Sequence, residues 1–205
     1  MHAISLFSGA GGLDLGSVLA GTKVLSSLDF DKDSINTIRQ NKIFKDSENF
    51  CTDIRDFNLK KYNQIIKKNK TEKLILLGGP PCQPFSKAGY WITHKKILGK
   101  KDPRNMISEY LNVIKIIQPD GFIIENVESI LHPKNIIVVK EIEEFIYKNN
   151  FNLIRYTANA INFGVPQKRK RVFFIATKKR IKFEPVQTHG ENLKPYERVI
   201  DWIYQ

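Results

Sequence analysis

Residues 2–16 read HAISLFSGAGGLDLG, an apolar run that passes directly into a glycine-rich turn and then into an amphipathic segment. The apolar run is typical of a buried strand, and Gly9, Gly11 and Gly12 allow a sharp turn into a helix that we expect to begin near Leu13. Such a turn leaves backbone amides at the helix start free to hydrogen-bond a ligand. Tight strand-to-helix connections also use glycine for purely steric reasons, so the turn alone does not establish a ligand site.

The same alternation of apolar and helical segments continues along the chain. Further apolar runs occur at 22–29 (TKVLSSLD), 72–79 (EKLILLGG) and 120–126 (DGFIIEN). Apolar spacing of three to four residues predicts helices over 13–20, 32–41, 105–117 and 135–148. This rhythm is typical of parallel strands joined by crossover helices. We therefore expect an α/β fold with a doubly wound, Rossmann-like, mostly parallel sheet.

The pattern changes after Asn150. Two extended segments, FNLIRYTANA at 151–160 and RVFFIAT at 171–177, are joined by INFGVPQKRK, which is too short for a helical crossover. These segments predict a C-terminal antiparallel hairpin. No composition shift, repeat or linker divides the 205 residues, so we expect a single domain.

Composition limits the classes of partner and compartment. The chain has 33 Lys and Arg against 21 Asp and Glu, a formal net charge of +12. That excess favours a polyanionic partner such as nucleic acid, although a merely solvated basic surface explains it equally well. The 2 cysteines give neither a disulfide framework nor a zinc-binding spacing. With no signal-like start and no apolar run approaching ~20 residues, we expect a soluble cytoplasmic protein without metal or membrane association.

Acidic residues follow the second and third predicted strands. Asp29 comes about 20 residues after the glycine turn, the offset at which a carboxylate meets ribose hydroxyls in nucleoside-binding βαβ units. The ring of Phe30 could then lie against an adenine. Asp53, next to Ile54, would face the same crevice. Helix capping is the stronger explanation for Asp31, and turn chemistry explains Asp53 equally well.

The segment GGPPCQPFSKAG at 78–89 places Cys82 between prolines, directly after the fourth strand. Prolines on both sides restrict the backbone and present the thiol at the carboxyl end of the sheet. Polar neighbours and restricted motion favour a nucleophile at this position. Cys51 lies in an apolar segment, and we expect it to be a small buried hydrophobe. The lysine-rich tract at 94–102, which follows this segment, is expected to be a mobile loop.

The fifth strand and the hairpin carry further candidates. FIIENV places Glu125 and Asn126 beside the cysteine segment if the fourth and fifth strands are adjacent. Glu125 is a candidate proton donor to a substrate ring, and its alternative role is to cap or bridge the next loop. In QKRKR, Arg169 and Arg171 share one side of an extended segment, where two guanidinium groups suit phosphate or carboxylate. The neighbouring lysines are expected to form a solvated edge.

These segments occur in an order that resembles the cytosine-C5 DNA methyltransferase family, whose members use S-adenosylmethionine. The matching segments are LFSGAGGLDLG, LDFDKDS, TDIRDF, PPCQPFS, ENV and QKRKR. VQTHG and ERVIDWI extend the resemblance over nearly the whole chain. The resemblance implies that residues 1–205 form a class I S-adenosylmethionine-dependent methyltransferase catalytic domain acting on double-stranded DNA.

The resemblance also implies roles for individual residues. It places the following residues at the cofactor: Phe7, Gly9, Gly11, Gly12, Asp29, Phe30, Asp53, Ile54 and Pro81. Cys82 would add to C6 of cytosine, because C5 cannot attack a sulfonium methyl group until the ring gains electron density. Glu125 would hold or protonate N3, and Arg171 with Arg169 would orient the base and its phosphate. The target base would have to leave the duplex, because stacking hides C6.

The chain also departs from the family pattern. Family members continue with a target recognition region and a final segment that completes the cofactor pocket, and neither is found before Gln205. We therefore expect a fragment or one subunit of a split restriction-modification enzyme, with weak or no methylation by this chain alone. A second polypeptide would supply DNA specificity. The alternatives are a tRNA cytosine-5 methyltransferase, a non-catalytic DNA-associated scaffold and a nicotinamide-dependent oxidoreductase; the last rests on the glycine turn alone.

Overall fold

In the computed structural model, which describes residues 1–81 and 106–199, seven strands form one sheet. The strands are β1 (His2–Leu6), β2 (Lys23–Asp29), β3 (Glu48–Cys51), β4 (Leu74–Gly78), β5 (Gly121–Val127), β6 (Asn152–Asn159) and β7 (Lys170–Thr177). Their order across the sheet is β3-β2-β1-β4-β5-β7-β6. Strands β1 to β5 pair in parallel, whereas β7 pairs antiparallel with both β5 and β6. The predicted α/β sheet with a C-terminal antiparallel hairpin is therefore confirmed.

The helices agree closely with the sequence pattern. They are α1 (Gly12–Leu19), α2 (Lys32–Gln40), α3 (Lys60–Lys68), α4 (Met106–Ile117) and α5 (Ile136–Lys148), with 3₁₀ turns at Lys42–Phe44, Glu128–Leu131, Pro133–Asn135 and Ala160–Phe163. The predicted helices match α1, α2, α4 and α5 to within one residue at each end. Helix α3 was not predicted, although its buried Tyr62 and Ile65 have the same helical spacing as the buried Ile35 and Ile38 of α2. None of the helices in the described ranges is long and apolar enough to cross a membrane.

Helices cover both faces of the sheet, as a doubly wound fold requires. On one face, Ala3, Val24 and Leu77 of the strands pack against α2 through Ile35 and Ile38. The residues that meet on the other face come from strands, α3, α4 and α5, and include Leu6, Leu76, Phe122, Tyr62, Ile114 and Ile142. Successive strand residues point to opposite faces, so nearly continuous apolar runs such as LILLG fill both layers.

The strand order reverses beside β1, which lies between β2 and β4. In open parallel sheets such a reversal leaves a crevice outside the carboxyl ends of the strands, where ligands bind. Because β7 runs antiparallel, its beginning lies at this same edge, where Arg171 pairs with Val127 of β5. The adjacency of β4 and β5, on which the placement of Glu125 depends, is also confirmed.

The turn after β1 has an unusual backbone. Gly9 and Gly11 have φ values of 52° and 86°, in the left-handed region that glycine adopts without strain. Phe7 has a φ of 54° although it carries a side chain. A Cβ atom at Gly11 would also lie 3.1 Å from Cγ1 of Ile38, so the absence of a side chain lets α1 begin close to α2. The turn is therefore strained at Phe7 and tightly packed at Gly11.

One sequence-based expectation about the fold is wrong. Cys51, expected to be a small buried hydrophobe, is exposed. It is the last residue of β3, an edge strand of the sheet. Its Sγ lies 3.6 Å from the carbonyl oxygen of Phe30. An apolar neighbourhood in sequence does not bury a residue at the end of an edge strand, because no further strand covers that side.

Candidate active site

A first cavity of about 240 Å³ opens at the carboxyl ends of β1, β2 and β3. Its lining consists of Phe7, Leu28, Asp29, Phe30, Thr52, Asp53, Ile54, Arg55, Pro81 and Met106. Most of the residues that the sequence assigned to a cofactor therefore meet here, although they come from four different strand ends. The ring of Phe30 is 71% exposed and can contact a ligand.

Asp29 joins the end of β2 to the glycine turn. Its Oδ2 accepts a hydrogen bond from the Gly9 amide at 2.8 Å, and its Oδ1 accepts one from the Asp31 amide at 2.9 Å. Each carboxylate oxygen has two lone pairs, so acceptor capacity remains for a ligand hydroxyl. Asp31 itself caps α2, since its side chain accepts a hydrogen bond from the Ser34 amide. The capping explanation preferred for Asp31 is confirmed.

Asp53 lies at the rim of the first cavity in a local turn. Its Oδ1 accepts hydrogen bonds from the Arg55 amide and from Nε of Arg55, both at 2.9 Å, and Oδ2 lies 2.6 Å from Nη2. The hydrogen bonds from Arg55 lower the pKa of Asp53. The turn role considered for Asp53 is therefore present, and the same side chain still lines the cavity.

A second cavity, of about 480 Å³, adjoins the first, because Phe7 lines both. It is lined by Ser5, Leu6, Phe7, Ser8, Gly12, Leu13, Gly78, Gly79, Glu125, Ala158, Ala160, Arg169, Arg171 and Phe173. Gly12 therefore lies with the residues that the sequence assigned to catalysis. Gly9 and Gly11 line neither cavity: the Gly9 amide binds Asp29, and Gly11 packs against α2.

Glu125 and Arg171 form an ion pair in the second cavity, with Oε1 of Glu125 2.8 Å from Nε of Arg171. The two side chains are 27% and 21% exposed, so the pair is largely screened from water. Gly79 lies beneath it, where a Cβ atom would approach Oε2 of Glu125 to 3.1 Å. Arg169 lines the same cavity, whereas Lys170 turns to Glu128 at 3.3 Å. The guanidinium groups thus converge on one side, and Lys170 lies outside.

Two buried polar side chains in and beside the site were missed by sequence reasoning. The Ser8 hydroxyl lines the second cavity, is buried and has no hydrogen-bond partner within the described ranges. Asp14 of α1 is fully buried and accepts hydrogen bonds from Ser5 at 2.5 Å and Ser27 at 2.6 Å. Burial raises the pKa of Asp14. Both residues belong to LFSGAGGLDLG, but burial depends on long-range packing that the motif does not reveal.

Cys82 and the tract at 94–102 lie outside the described residues, which stop at Pro81 and resume at Met106. The described chain does include residues 78–81, which directly precede Cys82 and form the entrance of the cysteine segment. There, Asn126 of β5 is buried and donates a hydrogen bond from Nδ2 to the Pro80 carbonyl at 3.0 Å. Within residues 1–81 and 106–199, no group of three or more His, Cys, Asp or Glu side chains is arranged to hold a metal ion.

The family model described as C-5 cytosine-specific DNA methylase matches residues 1–201. Type II methyltransferase M.FnuDI of Fusobacterium nucleatum is 36% identical over 183 residues, which are 87% of this chain and 47% of that protein. Type II methyltransferase M.AquIA of Picosynechococcus sp. is 33% identical over 98% of this chain and 86% of that protein. The chain thus spans about half the length of M.FnuDI but most of M.AquIA.

Solved structures share the fold. A protein described as a DNA modification methyltransferase encoded within an Escherichia coli prophage superposes with a TM-score of 0.75 at 27% identity, over 100% of this chain and 54% of that chain. The Dnmt2 methyltransferase of S. pombe superposes with a TM-score of 0.73 at 18% identity, over 98% of this chain and 60% of that chain. At that identity the second likeness bears on the fold alone.

Proposed function

Because the chain belongs to the C-5 cytosine-specific DNA methylase family, we propose that it is the cofactor-binding and catalytic part of a DNA (cytosine-5)-methyltransferase of a restriction-modification system. It transfers a methyl group from S-adenosylmethionine to C5 of a cytosine in double-stranded DNA. The observation that carries the proposal is the Glu125–Arg171 ion pair in a cavity that adjoins the one lined by Asp29, Phe30 and Asp53.

The residues present fit S-adenosylmethionine. In the first cavity, Asp29 offers free acceptor capacity to ribose hydroxyls, Phe30 offers an exposed ring to adenine, and Asp53 and Ile54 also line the cavity. In the second cavity, the buried Ser8 hydroxyl, which has no hydrogen-bond partner among the described residues, suits the charged amino-acid end of the cofactor. When bound, the cofactor supplies an electrophilic methyl group on a sulfonium. Phe7, which lines both cavities, would lie between its two ends.

The reaction begins at Cys82, whose thiolate adds to C6 of the cytosine. The new S–C6 bond forms as the C5–C6 double bond opens, and its electron pair moves toward C5 and N3. Carbon C5 would then take the methyl group as the bond between that methyl carbon and the sulfonium sulfur breaks, and S-adenosylhomocysteine would leave. The C5 proton would pass to solvent, and the electron pair it leaves would re-form the C5–C6 double bond as the S–C6 bond breaks and the Cys82 thiolate departs. The stacked base hides C6, so the cytosine must leave the duplex, at a cost of a few kcal/mol offset by contacts in the pocket.

Glu125 and Arg171 act on the ring as one hydrogen-bonded unit. Glu125 holds or protonates N3, so that the covalent adduct is not a bare carbanion. Arg171 keeps the Glu125 carboxyl group over Gly79, beside the entrance to the cysteine segment. Arg169 is exposed at the mouth of the same cavity and suits the phosphate that flanks the target base.

We place DNA sequence recognition in a second polypeptide or in a part of a longer protein outside these residues. Relatives such as M.FnuDI are about twice as long as the matched region, which leaves room for a further domain. M.AquIA, of which the match covers 86%, is a curated relative of similar length to this chain. A two-chain enzyme is consistent with that length.

Trapping on DNA tests the mechanism directly. The chain, purified with any polypeptide that accompanies it in its native host, is incubated with S-adenosylmethionine and duplex DNA containing 5-fluorocytosine in varied sequence contexts. Fluorine cannot leave C5 as a cation, so the adduct should persist and mass spectrometry should find the DNA on Cys82. Cys51 is the matched control: Cys51→Ser should still trap DNA, whereas Cys82→Ser should not.

The same assay separates the alternatives. Transfer RNA containing 5-fluorocytosine is offered in parallel, and trapping on tRNA but not on DNA would reassign the substrate. Absence of any adduct on either nucleic acid, with bound cofactor confirmed, would overturn the covalent mechanism. Unchanged cellular function of Cys82→Ser would favour the non-catalytic scaffold instead.

A further inference from the structure

Asn126 connects β5 to the entrance of the cysteine segment. Its side chain is only 5% exposed, and both ends of the amide are used. Nδ2 donates to the Pro80 carbonyl at 3.0 Å, and Oδ1 accepts from the Val127 amide at 2.9 Å. The second bond fixes the orientation of the amide and therefore points its donor at Pro80.

Pro80 and Pro81 cannot be held by their own backbone donors, since proline nitrogen carries no hydrogen. The preceding Gly78 and Gly79 have no side chains that could anchor the segment. The Pro80 carbonyl can still accept a hydrogen bond, and the donor must come from another part of the fold. Asn126 supplies that donor from the neighbouring strand.

Glu125 and Asn126 are consecutive in β5, so their side chains leave the strand on opposite sides. Glu125 lies over Gly79, with Oε2 3.1 Å from where a Cβ atom would be. Asn126 donates a hydrogen bond to the carbonyl of Pro80, the residue after Gly79. One strand thus contacts the entrance to the cysteine segment with two adjacent side chains, one a candidate catalytic group and the other a buried anchor.

We infer that Asn126 is a positioning residue that sets the distance between the Glu125 carboxyl group and the segment leading to Cys82, two residues after Pro80. The inference rests on the proposed function, in which these two groups act on opposite parts of one cytosine ring. Misplacing a reacting group by about 1 Å can slow a reaction about 100-fold. Asn126 touches neither substrate nor cofactor in this role and acts only through the backbone.

The test compares Asn126 with a second buried asparagine. Asn126→Asp keeps the shape of the side chain but replaces the donor with an acceptor, and Asn126→Ala removes both. Asn135 is the matched control, because it is 6% exposed and its Nδ2 donates to the Ser129 carbonyl at 2.7 Å, yet it lines neither cavity. Asn135→Ala therefore measures the general cost of losing a buried amide.

Three quantities are measured in each variant: the free energy of unfolding, the dissociation constant of S-adenosylhomocysteine, and the rate of trapping on 5-fluorocytosine DNA with the native accompanying polypeptide. We expect both Asn126 variants to slow trapping about 10- to 100-fold, with the dissociation constant nearly unchanged. Asn135→Ala should lose comparable stability without slowing trapping. Equal slowing in the Asn126 and Asn135 variants, or no slowing in either, would overturn the inference.

A readout independent of methyl transfer separates this inference from the proposed function. Alkylation of Cys82 by iodoacetamide is followed by mass spectrometry, with exposed Cys51 on the same chain as the internal reference. Release of the Pro80 anchor should change the Cys82-to-Cys51 alkylation ratio severalfold in Asn126→Ala. If the unsubstituted chain forms no adduct but this ratio changes, the proposed function fails while the anchoring role stands. An unchanged ratio contradicts the anchoring role.

Discussion

The Asp14 carboxyl group lies wholly inside the protein, between β1, β2 and α1. Its carboxylate oxygens accept hydrogen bonds from the hydroxyl groups of Ser5 and Ser27. Removal from water is the largest cause of its raised pKa, with repulsion from the Asp29 carboxylate adding to it. The folded state therefore binds a proton to Asp14 more readily than the unfolded chain does.

This raised pKa predicts a pH dependence of stability. The contribution of Asp14 is fully present below its ordinary pKa of about 4 and is lost as the pH rises through the higher folded value. Asp14→Asn cannot titrate, so the stability of the unsubstituted protein relative to this variant should fall as the pH increases above about 4. Denaturant unfolding of both proteins across a pH series measures the difference.

Asp31 provides a control of opposite sign. Hydrogen bonding from Ser34 lowers its pKa, so its contribution is present above the ordinary value and is lost as the pH falls through the folded one. The stability of the unsubstituted protein relative to Asp31→Asn should therefore grow as the pH rises. If the Asp14 and Asp31 differences have the same slope, the assignment of the Asp14 effect to burial is wrong.

At the scale of elements, the packing of α4 on β4 fixes where the cysteine segment begins. The Tyr110 ring lies against Gly78, the last residue of β4, and its hydroxyl donates to the Ile123 carbonyl at 2.9 Å. A Cβ atom at Gly78 would lie 2.3 Å from Cε2 of Tyr110 and 3.0 Å from the Leu6 carbonyl oxygen. Neither neighbour is a flexible side-chain end, so this position tolerates only glycine.

Gly78→Ala should accordingly destabilise the protein by about 1–3 kcal/mol, the usual cost of overpacking a core. Gly16 in α1 is the matched control, because nothing lies within 4 Å of a Cβ atom there. Gly16→Ala should stabilise the protein by about 0.5–1 kcal/mol through helix propensity. Urea unfolding of the two variants checks both signs, and a neutral Gly78→Ala would contradict the close packing of α4.

The relatives of this chain differ in length. The chain spans 47% of M.FnuDI but 86% of M.AquIA, so relatives of both lengths occur. The described cavities already contain the acidic, aromatic and guanidinium groups that the proposed chemistry uses. Cofactor binding and DNA recognition are therefore expected to be separable.

The isolated chain should bind S-adenosylhomocysteine in calorimetry but transfer little or no methyl group to duplex DNA. Addition of the polypeptide that accompanies it in its native host should restore transfer from radiolabelled S-adenosylmethionine. Glu125→Gln supplies the control, because it should bind the cofactor as before and remain inactive with the second chain present. Efficient methylation by the isolated chain would refute the two-part arrangement.

The single-domain organisation and the cytoplasmic location that we expect from the sequence stay predictions.

Local sequence pattern was sufficient for most of the architecture. Apolar runs and helical spacing placed four helices to within one residue at each end. Helix α3 was missed although Tyr62 and Ile65 lie three residues apart and are both buried. The expectation for Cys51 failed because its exposure depends on the position of β3 at the sheet edge. Motif order identified the family, since each motif is a short contiguous string.

Contacts between distant segments could not be predicted from the sequence alone. Glu125 and Arg171 meet because β7 inserts between β5 and β6 in antiparallel register. The buried environment of Asp14, the burial of the Ser8 hydroxyl and the Asn126–Pro80 hydrogen bond likewise arise from packing. Periodicity reports which face of an element is apolar, whereas the partner of a polar side chain depends on three-dimensional neighbours that no local pattern encodes.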